Sequence, residues 1–261
     1  MKIKHVLFSM ILASASVIAS AQSPFDGTWA MNQSKSQLAG DTMTFASAGD
    51  GMLKYTDSVQ SYTFKTDGTE FKTPLGRERT FKMVNPTTYE TTTKMNGTLM
   101  SSSTWKLTIH DRSLTIDHKE IKANGDTSHD TTNYERIAGP SGGGLVGTWK
   151  SKHVLLGSPD ILTIASSGAD NITFSIASQK ITCNGKWDGN DYPITGPNVP
   201  AGMTLTFHKE GSKAFTVVEK LNGKEIQIEE YKISADGKVL TTKGTDAKGK
   251  EPYSIVWEKK G

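Results

Sequence analysis

Histidine and aspartate stand side by side three times in the first half of the chain, and such pairs can ligate a metal or form an oriented general base. The pairs are His110-Asp111, Asp117-His118 and His129-Asp130. The surrounding residues alternate between apolar and polar, which predicts strands, and adjacent strand residues point to opposite faces. The two members of a pair therefore cannot easily chelate together. The sequence also lacks His-Glu-x-x-His and any Cys/His pair with zinc spacing, so we expect no metal site.

Other residues that could act in catalysis lack the partners that they would need. Cys183 is the one cysteine, and its strand-like surroundings predict a buried thiol, whereas a redox nucleophile needs a basic, exposed niche. The sequence contains neither a Gly-x-Ser-x-Gly elbow nor a complete phosphate loop. At Glu229-Glu230 the apolar positions change phase between Ile228 and Tyr231, which predicts a β-bulge. We therefore expect no catalytic residues, no cofactor and no enzyme activity.

The elements that carry these residues are predicted to be antiparallel strands. Apolar residues alternate with polar ones in many short segments, for example at Leu205 and Phe207, and Asn-Gly or Asp-Gly pairs follow at short intervals. Such pairs favour two-residue hairpin turns, because both central positions need a positive φ. We expect about eight to ten strands in each half of the chain. The predicted fold is all-β, with two tandem up-and-down barrels, and the alternative is a pair of β-sandwiches.

One sequence unit occurs twice. Gly-Thr-Trp stands at Gly27–Trp29 and again at Gly147–Trp149, and other segments recur in the same order at an offset of about 120 residues. "YETTTKMNGT" (Tyr89–Thr98) matches "FTVVEKLNGK" (Phe215–Lys224), and "NYER" (Asn133–Arg136) matches "VWEK" (Val256–Lys259). A period of this length makes each copy a small domain. We place one barrel at 22–138, a glycine-rich linker at 139–144 and a second barrel at 145–261.

The first 21 residues resemble a secretory signal peptide. Lys2 and Lys4 precede an apolar stretch that ends in Ala19-Ser20-Ala21, a small-x-small cleavage site, so we predict cleavage after Ala21. Removal of the two lysines lowers the formal charge from +3 to +1. A nearly neutral chain offers no basic stripe for nucleic acid, and we expect no membrane anchor after cleavage. The predicted location is the periplasm or the extracellular space.

The repeated Gly-Thr-Trp resembles the opening of the lipocalin and fatty-acid-binding-protein superfamily, the calycins. In that group a Gly-x-Trp begins the first strand, and a basic residue on the last strand packs across the Trp to close the barrel. The resemblance implies that Gly27 and Trp29 pair with Arg136, and that Gly147 and Trp149 pair with Lys259. A cation over an indole ring contributes about 0.5–2 kcal/mol. The chain thus looks like an exported bacterial tandem protein of lipocalin-like type, and these six residues are predicted to be structural.

Two functions remain open. The first is a non-enzymatic binding protein that holds a small hydrophobic ligand in one or both barrels, with the second copy favoured because the first is rich in threonine and serine. The candidate ligand-binding residues are Trp187, Tyr192, Leu205, Phe207, Phe215 and Val217. The second is a cell-envelope interaction or structural module in which both barrels are filled by side chains. An open apolar cavity of about 300 Å³ or more would favour binding.

Overall fold

The computed structural model describes residues 23–108 and 110–261. Within these ranges it contains twenty β-strands and two short 3₁₀ helices, Gln33–Lys35 and Ala177–Gln179. In chain order the strands are β1 (Gly27–Met31), β2 (Thr42–Ser47), β3 (Met52–Thr56), β4 (Ser61–Lys65), β5 (Phe71–Lys72), β6 (Glu78–Asn85), β7 (Thr88–Met95), β8 (Thr98–Leu107), β9 (Ser113–Ile121), β10 (Thr127–Ala138), β11 (Gly147–Leu155), β12 (Ile161–Ser167), β13 (Asn171–Ile176), β14 (Ile181–Lys186), β15 (Asp191–Thr195), β16 (Met203–Lys209), β17 (Ala214–Leu221), β18 (Lys224–Ile233), β19 (Val239–Asp246) and β20 (Tyr253–Lys259). The predicted signal peptide, Met1–Ala21, lies outside the described residues.

Tight turns join sequential strands, as the Asn-Gly pairs predict. Asn96 and Asn222 have φ angles of 51° and 52°, and each is followed by a glycine with φ near 76°. Both central residues of these turns therefore lie in the left-handed region, which glycine and asparagine tolerate best. The turns connect β7 to β8 and β17 to β18, and each pair of strands is antiparallel.

The strands form two antiparallel barrels, which confirms the predicted fold class. The second barrel is closed and consists of β1 followed by β12 to β20. The first barrel consists of β2 to β11, with β4 and β5 at the ends of its sheet. The segment after β4 completes the ring, because Asp67 bridges to Lys82 and the amide of Gly68 donates to the carbonyl oxygen of Phe81 at 3.0 Å. Closure satisfies backbone groups that an open edge would expose.

The two halves of the chain exchange their first strands. The N-terminal strand β1 lies in the second barrel, between β12 and β20. The corresponding strand of the second half, β11, lies in the first barrel, between β2 and β10. The predicted units, 22–138 and 145–261, differ from this arrangement at those two strands. Because both begin with Gly-Thr-Trp, the sequence of either strand suits either barrel, and the repeat does not reveal the exchange.

The exchange also changes which basic residue covers each tryptophan. Lys259 Nζ lies 5.2 Å from the ring centre of Trp29, and Arg136 Cζ lies 4.2 Å from that of Trp149. The predicted pairs, Trp29 with Arg136 and Trp149 with Lys259, were therefore wrong. The physical role is unchanged, since each barrel still closes with a cation across an indole ring. Both tryptophans are fully buried.

Polar contacts hold the two barrels together at the ends opposite these tryptophans. The Lys122 ammonium, at the end of β9, lies 2.8 Å from Asp160 Oδ1 and donates to the carbonyl oxygen of Ser158 at 2.6 Å. Gln179, in the second 3₁₀ helix, donates to Glu120 Oε1 at 2.9 Å. Lys122 and Glu120 belong to the first barrel. Ser158 and Asp160 directly precede β12 of the second barrel, and Gln179 follows β13 of that barrel. These contacts therefore place the two open ends against each other.

Candidate functional site

The second barrel contains a mainly apolar cavity of about 450 Å³. The alternation of β12 to β18 and β20 points every second side chain inward, and most of those side chains are apolar. Among the residues that line the cavity are Leu162, Phe174, Ile194, Leu205, Val217 and Trp257. This volume lies within the range of about 300–1,000 Å³ that small-molecule sites occupy.

Aromatic side chains fill the barrel between the cavity and the closed end. Phe215 stacks on Tyr231 with ring centres 4.7 Å apart, and Phe25 meets the same Phe215 edge-on at 4.7 Å. Phe207 and Phe215 are completely buried. The cavity is therefore confined to the open half of the barrel, and the aromatic layer forms its floor.

Two carboxyl groups project into this apolar cavity from neighbouring strands. Glu219 is in phase with Val217 on β17, and Glu229 is in phase with Tyr231 on β18, so both join the inward face. The cross-strand pairs are Val217 with Glu229 and Glu219 with Gln227. The two glutamates are thus diagonal neighbours on one face of the sheet.

The β-bulge predicted at Glu229-Glu230 was placed wrongly. The register shift falls between Glu219 and Lys220, which pair with Gln227 and Glu225, so Ile226 is the extra residue. The phase of β18 therefore changes before Gln227, and the inward face runs through Glu229 to Tyr231. The apolar Ile228 misled the prediction because it lies on the opposite face, where it is half-buried.

Glu229 has several hydrogen-bond donors, whereas Glu219 has none among the described residues. The Tyr231 hydroxyl donates to Glu229 Oε2 at 2.7 Å, and Gln227 and the Tyr253 hydroxyl donate to Glu229 Oε1. Burial raises the pKa of Tyr231 and of Tyr253, so both hydroxyls keep the protons that they donate. Burial and the nearby Glu229 raise the pKa of Glu219 to about 7. Glu219 is therefore partly protonated near neutral pH.

The six candidate ligand-binding residues occupy three different places. Leu205 and Val217 line the cavity. Phe207 and Phe215 belong to the buried core, and Trp187 and Tyr192 are partly buried against it. Trp187 packs on Phe207 and Phe215 at 6.1 and 5.3 Å and borders a surface pocket beside Ser23–Asp26, at the closed end of the barrel.

The interior of the first barrel is smaller and more polar. At positions that correspond to Val217 and Glu229, this barrel has Thr91 and Ser103, which pair across β7 and β8. An aromatic cluster around Phe45 and Phe81 fills the closed end. A cavity of about 220 Å³ remains near the open end, lined mostly by polar side chains that include Arg77, Arg79, His118 and Glu120.

Asp117-His118 and His129-Asp130 lie on β9 and β10, as the strand pattern predicts, whereas His110-Asp111 lies in the turn between β8 and β9. His118 faces the interior, where its Nδ1 lies 2.8 Å from Ser103 Oγ, and its cross-strand partner is Asp130, not the adjacent Asp117. Burial lowers the pKa of His118, so the imidazole is neutral at pH 7. Among residues 23–108 and 110–261, no group of three or more His, Cys, Asp or Glu side chains is placed to hold a metal ion.

Two arginines of the first barrel lack carboxylate partners. Within the described chain, the Arg77 guanidinium makes no hydrogen bond or salt bridge, and that of Arg79 makes one hydrogen bond, to the Tyr62 hydroxyl at 3.0 Å. The Nε atoms of both arginines are buried without an acceptor. Burial, together with the charge of Arg79, lowers the pKa of Arg77. Arg77 lines both the polar cavity of the first barrel and the apolar cavity of the second.

Cys183 lies in the wall of the second-barrel cavity. It is 1% exposed, and burial raises the pKa of its thiol to about 11. A thiol with a raised pKa carries almost no thiolate at neutral pH, so it is a poor nucleophile. Its role here is to pack against its neighbours as a small apolar side chain.

Comparison of the chain with protein-family models, curated proteins and solved structures finds no match. Within the described ranges, no helix has the length and apolar character needed to cross a membrane.

Sequence reasoning did not assign Glu219, Glu229, Arg77 or Arg79 to a cavity. Glu219 and Glu229 each stand two residues from a buried apolar residue, at Val217 and Tyr231, and this phase placed them inside. Arg79 stands two residues before Phe81 in the same way. A search for charged residues in phase with apolar strand positions would have found all three. Arg77 gave no such signal, because its place beside the other barrel depends on how the barrels meet.

Proposed function

We propose that the protein is a non-enzymatic binding protein that holds one small, mainly apolar molecule in the second barrel. The observation that carries this proposal is the 450 Å³ cavity with its largely apolar lining. Filling such a cavity removes apolar surface from water, which is favourable at about 25 cal/mol per Å².

The first barrel serves a different purpose in this proposal. Its closed half is filled by aromatic side chains, and its remaining cavity is half as large and polar. An apolar ligand would leave the buried polar groups there without partners, which is costly. The two copies of the repeat therefore differ in function, although they share a fold.

We also propose the finer assignments that the sequence suggests. The Gly-Thr-Trp motifs, each covered by a basic residue, support a lipocalin-like type of barrel. The pattern of Met1–Ala21 supports export to the periplasm or the extracellular space. A binding protein that works outside the cytoplasm without disulfides must rely on its core for stability, and the single cysteine is consistent with that.

Native mass spectrometry of the purified protein tests the proposal. Extraction and identification of any released molecule should find a small hydrophobic compound. The protein from which this compound has been removed should then bind one molecule of dodecanol per chain. A measured mass that matches the protein without any ligand, together with no uptake of dodecanol, would contradict the proposal. It would favour the alternative, a cell-envelope interaction or structural module.

A matched pair of variants locates the site. Val217→Phe adds bulk on the cavity wall, and Val218→Phe adds the same bulk on the opposite face of the same strand. Dodecanol uptake should be lost in the first variant and retained in the second. Equal uptake by both variants would show that dodecanol binds elsewhere.

A further inference from the structure

A second pocket lies at the closed end of the second barrel. Its volume is about 490 Å³, and its walls are the segment Ser23–Asp26 and the ends and turns that follow β12, β14 and β16. It shares no lining residue with the apolar cavity, and the buried rings of Phe207 and Phe215 lie between the two. Because its volume is within the range of about 300–1,000 Å³ that small-molecule sites occupy, this pocket is a separate candidate site.

Two buried polar atoms in the wall of this pocket lack a hydrogen-bond partner. The Asp26 residue is 9% exposed. Its Oδ1 atom and the hydroxyl oxygen of Ser166 are both buried, and neither has a partner within the described chain. Buried polar groups are normally hydrogen-bonded, and an unpartnered one destabilises the protein unless a bound molecule supplies the partner. Asp26 and Ser166 therefore indicate a ligand that offers hydrogen bonds.

The closed end of the first barrel does not have these features. In the repeat, Val146 takes the place of Asp26, and Thr66 takes the place of Trp187 before the matching Asp-Gly pair. The carboxylate of Asp111, at the closed end of the first barrel, accepts a hydrogen bond from a backbone amide at 3.0 Å. The unpartnered carboxylate and the indole beside it are thus specific to the second barrel, and closure of a barrel of this kind does not require them.

The other side chains of the pocket narrow the chemistry of this ligand. Trp187 packs on Phe207 and Phe215 and also lines the pocket. Asp26 and Lys209 are the charged residues among the described residues that line it, and their charges cancel. A neutral ligand therefore suits the pocket better than an ion does. Such a ligand must donate hydrogen bonds to Asp26, accept them from Lys209 and place an apolar face against the indole ring.

We propose that this pocket binds a sugar ring. The hydroxyl groups around the edge of a pyranose can each donate and accept a hydrogen bond. The C–H groups of its faces pack on the electron-rich face of an aromatic ring, which Trp187 supplies. The strongest hydrogen bond of the complex is the one from a sugar hydroxyl to the Asp26 carboxylate, because the acceptor is charged. The site is separate from the apolar cavity, so this inference goes beyond the proposed function and does not depend on it.

Saturation-transfer NMR and isothermal titration calorimetry on the full chain test this inference. The probes are glucose, galactose and N-acetylglucosamine, with glycerol and choline for comparison. At least one sugar should bind at least about tenfold more tightly than glycerol, which has hydroxyl groups but no ring face. It should also bind more tightly than choline, a cation of the kind that aromatic rings and carboxylates bind. If no sugar binds better than glycerol, or if choline binds best, the proposal is wrong.

The same measurement distinguishes a free sugar from a sugar unit of a polysaccharide. A tetrasaccharide of the bound sugar that binds at least about tenfold more tightly than the monosaccharide would identify a polysaccharide as the source. Equal binding of the two would identify the free sugar.

Three variants with a matched control locate the sugar. Asp26→Asn and Trp187→Leu should each weaken its binding about tenfold. Asp170→Asn removes the same charge from an exposed position in the turn after β12 and should leave binding unchanged. Urea denaturation shows whether each variant is folded. Lys209→Gln, at an exposed position, should also weaken binding, and it keeps the test possible if a change at a buried residue prevents folding. Sugar binding that is unchanged in every folded variant of these three residues would overturn the assignment to this pocket.

Discussion

At the scale of single residues, Glu219 is the side chain whose environment departs most from the rest of the second barrel. Most of its neighbours in the cavity are apolar, its cross-strand partner is Gln227 and Glu229 lies nearby. Its pKa is about 7 in the folded protein against 4.5 for the free side chain. Between these two pH values the folded protein binds more protons than the unfolded chain. The free energy of unfolding must therefore fall as the pH rises through this window.

Glu219→Gln should remove this pH dependence. Relative to the wild type, the variant should gain about 2–3 kcal/mol in the free energy of unfolding as the pH rises from 4.5 to 8. Urea denaturation at a series of pH values measures the difference. Glu230→Gln, at an exposed position on the neighbouring strand β18, is the control and should show no such trend. If the free energies of unfolding of Glu219→Gln and the wild type differ by the same amount at every pH, Glu219 titrates as a solvated carboxyl.

The two Gly-Thr-Trp glycines should differ in their tolerance of a side chain. A Cβ at Gly147 would lie 2.6 Å from the carbonyl oxygen of Ala138, which cannot move freely, whereas one at Gly27 would meet the flexible end of Lys259. Both have positive φ angles, of 142° and 150°, which strain any other residue. Gly147→Ala should cost about 3 kcal/mol or more and Gly27→Ala about 1–2 kcal/mol. Thermal and urea denaturation of both variants checks the order, and an equal or reversed order would contradict it.

At the scale of elements, the exchange of β1 and β11 is the feature that distinguishes this chain from two barrels in a row. The threonine of each Gly-Thr-Trp motif distinguishes the two arrangements, because its cross-strand partner depends on the exchange. Thr148 lies opposite Thr44 on β2, with the two hydroxyl oxygens 3.1 Å apart. Without the exchange, Thr28 would take the place of Thr148 beside Thr44.

Engineered cysteines at these positions test the exchange. In a Cys183→Ala background, Thr44→Cys with Thr148→Cys should form a disulfide under mild oxidation, because directly opposed strand residues have suitable Cα separations. Thr28→Cys with Thr44→Cys should stay reduced, since those strands lie in different barrels. Intact-mass analysis reads out both. A disulfide in the second pair but not in the first would show contiguous barrels.

The elements could largely be predicted from the sequence, and their partners only in part. Alternation and Asn-Gly turns are local signals, so the strands on either side of Asn96 and Asn222 were predictable. The partner of β1 is not a local property, because Gly27–Trp29 and Gly147–Trp149 have the same residues. The inward position of Glu229 could be predicted from its phase with Tyr231, but the apolar Ile228, which the extra residue at Ile226 places on the opposite face, suggested a bulge at Glu229-Glu230 instead.

At the scale of the whole molecule, one buried ion pair joins the barrels. The Lys122 side chain is 3% exposed and contacts Asp160, which is 28% exposed. Removal of one partner from a buried pair leaves the other partner uncompensated. The pair therefore matters both for stability and for the position of the two open ends.

Lys122→Met should lower the free energy of unfolding by about 3 kcal/mol. Lys35→Met breaks the exposed pair with Glu258, whose side chains are 61% and 46% exposed, and should cost less than about 1 kcal/mol. Urea denaturation of the two variants gives the comparison. A Lys122 variant as stable as the Lys35 variant would mean that the buried pair contributes little to the junction between the barrels.

The central claim is that the second barrel holds a small, mainly apolar ligand, and the most direct measurement locates that ligand. A crystal structure with 12-bromododecan-1-ol, recorded at the bromine absorption edge, gives the position of the end of the chain. We predict a bromine peak inside the second barrel, among Leu162, Phe174 and Val217. A bromine peak in the first barrel or on the outer surface would contradict the account.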